Sequence, residues 1–270
     1  MTEQRYDDYL RTYQLCRTGF LSLAVGLVPF ALLQVSIIVG QVLVGDRQIE
    51  IWLQQATWLD WLPTLTTWST LIGATLLWGR WDNSSWQRRT SLLMTMCLID
   101  VGIWFLDLGD PQGIGDWAWF RGRFGNALGW AEVALLASLS GDFLTHLGVE
   151  QAEESAKSTR SLAASGAMIW LLLFCETANL RDGWPIKPNA QIPRQTLLLS
   201  LGTNLIWIIC LIQITALVVA AFRQSDHQVR DMEADDRIRE DVLFSLTDAD
   251  VDSADRPAPA ERAGSRDSGA

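Results

Sequence analysis

The sequence predicts an all-α, polytopic membrane protein: a bundle of six transmembrane helices, with an interfacial N-terminal segment and a disordered acidic C-terminal tail. Three observations lead there. Apolar residues are 49% of the 270-residue chain and fall in runs of roughly 18–27 residues with few charges, and about 20 apolar residues suffice to cross a bilayer. The segments between the runs are rich in Trp and Arg, as membrane interfaces are. The acidic charge is concentrated at one end: from Arg223 onward there are 13 Asp/Glu and 7 Lys/Arg, so −6 of the total −10 sits in the tail. That balance argues against nucleic acid as a partner, because phosphate binding needs a basic patch. The chain divides into residues 1–17, a membrane domain over 18–222 and a tail over 223–270.

Residues 1–17 hold all three tyrosines, and Tyr6, Leu10, Tyr13 and Arg17 share one helical face. Two readings fit. One is a helix lying in the interface with Tyr at headgroup level; the other is the first turns of the spanning helix projecting into the cytoplasm. The first span, about 18–44, contains Gly26 and Pro29; the proline removes a backbone donor and predicts a kink. Residues 45–63, with Trp52, Trp58 and Trp61, read as a short element in the headgroup region. The second span, about 63–81, opens on Pro63, which suits a first helical turn.

The third span, about 90–109, places Cys97, Asp100, Trp104 and Asp107 on one face. The fourth, about 125–147, carries Gly125 and Gly129 in a GxxxG spacing that predicts close helix contact, followed by Glu132, Asp142 and His146 on an inward-facing wedge. Residues 148–161 read as a polar loop. The fifth span, about 162–180, opens with a small-residue patch (Ala163, Gly166, Ala167) suited to tight packing and carries Glu176 near its far end. The sixth, about 196–222, includes Asn204 and Gln213, whose angular separation points them at different neighbours. In the tail, Val229 to Leu246 has the spacing of an amphipathic helix, and Asp248 onward has the composition of a disordered segment.

Lys and Arg counts set the orientation. With the N-terminus inside, the inner segments hold twelve basic residues and the outer loops six, so both termini are expected in the cytoplasm. No cleavable leader is expected. The basic residues are nearly all Arg, with Lys only at 157 and 187, a coding bias that suits a bacterial source. The membrane expected is therefore a plasma membrane or bacterial inner membrane.

Six side chains carry the chemistry: Asp100, Asp107, Glu132, Asp142, His146 and Glu176. A carboxylate at mid-bilayer costs about 2.5–3.5 kcal/mol and therefore faces protein or water. Together the six suggest a polar track for a cation, proton or small solute. The bland counterpart is that those near the interface pair with loop arginines. A second reading is a non-catalytic scaffold or complex subunit recruiting a protein partner through its tail and Trp-rich loops. A third is an intramembrane acid/base enzyme using Asp100 and Asp142, which the depth of the two residues disfavours. GxSxG, HExxH and P-loop patterns are absent. No cofactor is indicated: Cys16, Cys97, Cys175 and Cys210 have no metal-ligand spacing, and only His146 lies in a span, which cannot supply bis-histidine haem ligation.

Overall fold

The computed structural model describes residues 3–44, 51, 52, 56, 61–79, 84–109, 116–179 and 194–254. Among them there are six helices and no strand. They are α1 (Glu3–Val44), α2 (Trp61–Leu77), α3 (Ser84–Gly109), α4 (Asp116–His146), α5 (Glu150–Asn179) and α6 (Arg194–Ala254). Four are long and apolar enough to cross a membrane, over Asp8–Gly40, Ser84–Leu106, Gly125–His146 and Gly202–Ile238. The chain separates into two compact units, Met1–His227 and Gln228–Ala270.

The helices are longer than their apolar runs. The N-terminal segment is continuous with the first span, α1 running without interruption through Pro29, so it forms the first turns of that helix. The polar segment 150–161, expected as a loop, is helical and opens α5. α6 continues as far as Ala254, which covers the helix expected over 229–246 and corrects the disorder expected from Asp248 for 248–254; residues 255–270 lie outside the described residues. One physical reason covers all three extensions. Hydropathy marks the part of a helix that sits in lipid, but an existing helix extends cheaply once nucleated. Glu, Gln, Ala, Lys and Arg are good helix formers, and no Pro interrupts any of these stretches. The expected Trp-rich element over 45–63 lies outside the described residues except for Ile51, Trp52, Ala56 and the start of α2, and the loop 180–193 lies outside them altogether.

The turns are specific. After α4, Gly148 adopts φ +83°. Its N–H donates to Thr145 O and the Val149 N–H reaches Leu144 O at 3.0 Å, the double bond of a Schellman ending. After α2, Gly79 takes φ +70°, and the buried Trp86 indole donates to Leu77 O at 3.0 Å, satisfying a carbonyl the helix end leaves open.

Two close approaches fix helix neighbours. Along α1 and α2, a Cβ added to Gly26 would lie 2.7 Å from Ser69 Cβ, and one added to Gly73 would lie 2.7 Å from Leu23 Cγ and 2.9 Å from Gly19 O. Ser22 Oγ donates to Ser69 O at 2.9 Å and Thr66 Oγ1 to Gly26 O at 3.2 Å. Along α4 and α5, Gly141 sits against Ala156, with Ala152, Ala156, Thr159 and Ala163 forming the buried stripe of α5.

The interior is of two kinds. One end is packed solid around Phe20, Leu23, Leu77, Leu93, Leu139, Phe143, Ile214 and Val218, all essentially inaccessible. The other end is hollow, with all six helices contributing to a cavity. Followed in chain order, α1 passes from the packed end (Cys16, Phe20) to the cavity (Leu27, Phe30, Gln34) and α2 returns from Pro63 to Leu77. α3 goes from Leu93 to Asp100, α4 returns from Gly125 to Leu144, α5 goes from Ala152 to Trp170, and α6 returns from Thr203 to Val218. The directions alternate. The perimeter carries exposed apolar side chains on five of these helices, including Leu32, Ile72, Leu98, Leu172 and Leu205.

Candidate functional site

The cavity holds about 390 Å³, within the range of small-molecule sites. Its acidic residues come from adjacent helices. Asp100 projects from α3, and its Oδ2 accepts a 2.7 Å hydrogen bond from Thr67 Oγ1 on α2. Glu132 projects from α4. It is hydrogen-bonded to the Cys97 thiol one turn before Asp100, and it lies near enough to Asp100 for their charges to interact. Glu132 Oε1 is buried without a hydrogen-bond partner. Among the described residues no Lys, Arg or His lines the cavity. Two carboxyls so placed repel each other when both are charged, and leaving buried charge uncompensated is costly. A proton or a cation in the cavity relieves that cost.

The rest of the lining is aromatic and neutral-polar. Trp130 and Trp207 meet edge to face, with centroids 4.8 Å apart and an interplanar angle of 72°. Trp170 and Phe30 add further ring surface, and Thr66, Thr70, Thr203, Asn126 and Asn204 add hydroxyl and amide groups. Asn126 and Asn204 are exposed, so the cavity reaches the surface there. A second cavity of about 180 Å³ lies on the other side of the Thr67–Asp100 pair, among Trp68, Val101, Ile103 and Trp104. The hydrogen-bonded pair is thus a shared wall.

The structure divides the six residues expected to carry chemistry. It brings Asp100 and Glu132 together. It places Asp142 at the packed end, where its Oδ2 is 2.6 Å from Arg89 Nη2; Arg89 also donates to Ser138 and Ser85. His146 is exposed at the end of α4. Between Glu132 and Asp142 the buried side chains of the helix are mostly apolar, among them Leu136, Ala137 and Leu139. Among the described residues a continuous polar track from Asp100 and Glu132 to Asp142 and His146 is therefore not assembled, nor is an Asp100–Asp142 acid/base pair. Asp107 and Glu176 belong to α3 and α5, but their side chains lie outside the described residues.

The residues expected to pack helices also divide. Gly125 and Gly129 line the cavity; a Cβ on Gly129 would meet the Trp207 ring at 3.3 Å, and one on Gly125 would meet Asp100 Oδ1 at 3.9 Å. Gly166 receives the Trp130 ring, Ala163 is buried, and Ala167 packs against the core. Asn204 and Gln213 do face different neighbours: Asn204 lines the cavity, while Gln213 Oε1 accepts from Thr159 at 2.9 Å.

Sequence reasoning missed Thr67, Trp130 and Trp207. The signal present was that Trp130 and Trp207 fall inside apolar runs rather than at their ends, where interfacial Trp belongs. No known protein family, curated protein or solved structure matches the chain.

Proposed function

We propose that this is a multi-pass membrane protein whose six helices all cross the bilayer and whose hollow half binds a cation through Asp100 and Glu132, as the binding step of transport. One observation carries the reading: two carboxyls share a ligand-sized cavity that no described basic residue lines, whereas Asp142 is paired with Arg89. Carboxylates held only for structure are expected to be capped, as Asp142 is. Those kept without a countercharge in a membrane helix are functional by default.

Support for six crossings comes from the alternating directions of the helices and from exposed apolar side chains on the two helices outside the four qualifying segments, Leu65 and Ile72 on α2 and Leu171 and Leu172 on α5. The packed end carries Arg17, Arg88, Arg89, Lys157, Arg160 and Arg223, which favours placing it, with both termini, in the cytoplasm. The cavity then opens away from the cytoplasm, and the packed half closes the inner side. A plasma membrane or bacterial inner membrane suits this orientation. The acidic tail is left as a surface for a protein partner, as in the scaffold reading.

Cysteine accessibility tests the proposal. In a background lacking the four native cysteines, Asp100→Cys and Glu132→Cys are expected to react with a membrane-impermeant thiol reagent from the outer side only. Asp142→Cys is expected to react from the inner side only. Unreactive cysteines at 100 and 132, with loop controls labelled normally, would sink the site. Uptake of the cation that protects those positions should disappear in Asp100→Asn/Glu132→Gln; undiminished uptake would sink the transport step.

A further inference from the structure

The class of cation can be narrowed, on the footing of the cation-binding reading above. A proton or a bare metal ion needs little room, and a liquid water occupies about 30 Å³. The cavity is more than ten times that size, so it suits a molecule or a large hydration shell. The walls discriminate between these two. A hydrated ion is held by groups that hydrogen-bond to its outer waters. Here four rings, Phe30, Trp130, Trp170 and Trp207, share the wall with polar side chains, and the hydroxyls of Thr66, Thr67, Thr70 and Thr203 are already donated to protein acceptors. An indole offers one N–H donor and no acceptor of comparable strength, so it is a poor partner for water, but it is the best of the side-chain rings for an organic cation.

The two kinds of lining belong to one cavity. Glu132 lines it together with Trp130 and Trp207, and the two indoles are in edge-to-face contact across α4 and α6. A cation held there meets both a carboxyl and ring surface. The pair is held firmly, since Trp207 sits against Gly129 and Trp130 against Gly166. Glycine at these two places gives the rings room, and rigid rings lose little entropy when a ligand arrives. Opposite them, Asp100 is oriented by Thr67. The amide groups of Asn126 and Asn204 lie on the exposed side, where the polar end of a ligand would remain wet.

We infer that the cavity takes a small organic ammonium ion, its charge between Asp100 and Glu132 and its alkyl groups against Trp130, Trp207 and Phe30. The carboxyls supply charge selection and the rings supply selection for alkylated nitrogen over a hydrated metal ion.

The experiment uses the full chain in lipid nanodiscs, with choline as probe and 3,3-dimethyl-1-butanol as its uncharged isostere, followed by calorimetry and by protection of Gln34→Cys, a cavity-lining position that leaves both carboxyls in place, from the thiol reagent. Choline is expected to bind saturably and to protect position 34. Sodium and potassium at the same ionic strength should do neither, and the isostere should bind at least about tenfold more weakly. Trp207→Leu should weaken choline binding about tenfold, and Trp207→Phe by only about threefold, because it keeps a ring in place. That rescue separates a ring contact from a loss of folding. Should sodium, potassium or protons protect position 34 while choline does not, the ammonium inference falls and the cation site stands. Equal binding of choline and its isostere overturns the ammonium inference, because charge then selects nothing. Protection by none of these probes removes both.

Discussion

The two halves of the bundle are built from the same six helices but solve the problem of polar groups among apolar helices differently. In the packed half two acids and an amide are paired: Arg89 meets Asp142, Arg17 meets Asp226 at 3.3 Å, and Gln213 meets Thr159. Among the described residues, the buried groups left there without a hydrogen-bond partner are the neutral hydroxyls of Ser140 and Thr215. Apolar side chains fill what remains, with Phe20 and Phe143 in contact at 4.8 Å. In the hollow half, among the described residues, the two acids are hydrogen-bonded by a hydroxyl and a thiol, and one oxygen of Glu132 has no hydrogen-bond partner. α4 thus runs from an open environment, where a carboxyl oxygen lacks a partner, to a closed one, where its acid is ion-paired and the unpartnered group, Ser140, is neutral. On the proposed reading the first half binds and the second holds the bundle together.

The largest test of this contrast is truncation on α4. Phe143→Ala empties a filled position and should cost about 3–5 kcal/mol. Val133→Ala, at a buried residue that already lines the cavity, should cost below about 1 kcal/mol. Reversible unfolding in mixed micelles reads both, and similar costs would erase the distinction between the halves. Next comes the α1–α2 contact. Gly73→Ala drives a methyl into Leu23 and the Gly19 carbonyl and should cost about 1–3 kcal/mol. Gly102→Ala, with nothing within 4 Å, should be neutral or slightly stabilising, since Ala is the better helix former.

A third test changes sign. Glu132→Gln removes one of two interacting acids and supplies an amide donor toward Asp100. It is expected to raise stability by about 1–3 kcal/mol while abolishing cation binding. A loss of stability would mean that the carboxyl is structural. The smallest effect belongs to Asp142→Asn. Its side chain is 46% exposed and that of Arg89 is 25% exposed, so water screens the pair and the change should stay below about 1 kcal/mol with cation binding unaltered. Any effect on binding would reconnect the two halves.

The long apolar helices were legible in the sequence because crossing lipid imposes a one-dimensional rule, a sufficient run of apolar residues. Their ends were not, because Glu150–Ser161 and the residues after Arg223 are polar segments with good helix propensity and carry no hydropathy signal. Asp100 and Glu132 were recognisable as candidates because each is an acid within an apolar run. Asp142 carried the same signal, and only Arg89, 53 positions earlier in the chain, distinguishes it. The GxxxG spacing at Gly125 and Gly129 is likewise ambiguous: small residues admit either a helix backbone or a ring, and here they admit a cavity and the Trp207 ring.

What the sequence determined alone is the all-helical class, the helices able to cross a membrane, and the short set of side chains whose placement there is costly. These follow from local backbone hydrogen bonding and from length, which neighbouring residues decide among themselves. Which acids meet, which one is neutralised, and where the bundle is left hollow were decided by the tertiary structure. Thr67 and Asp100 are 33 residues apart, Arg17 and Asp226 are 209 apart, and Trp130 finds Trp207 across two helices. Such pairings depend on how helices rotate and approach, and no residue's type or spacing encodes that by itself.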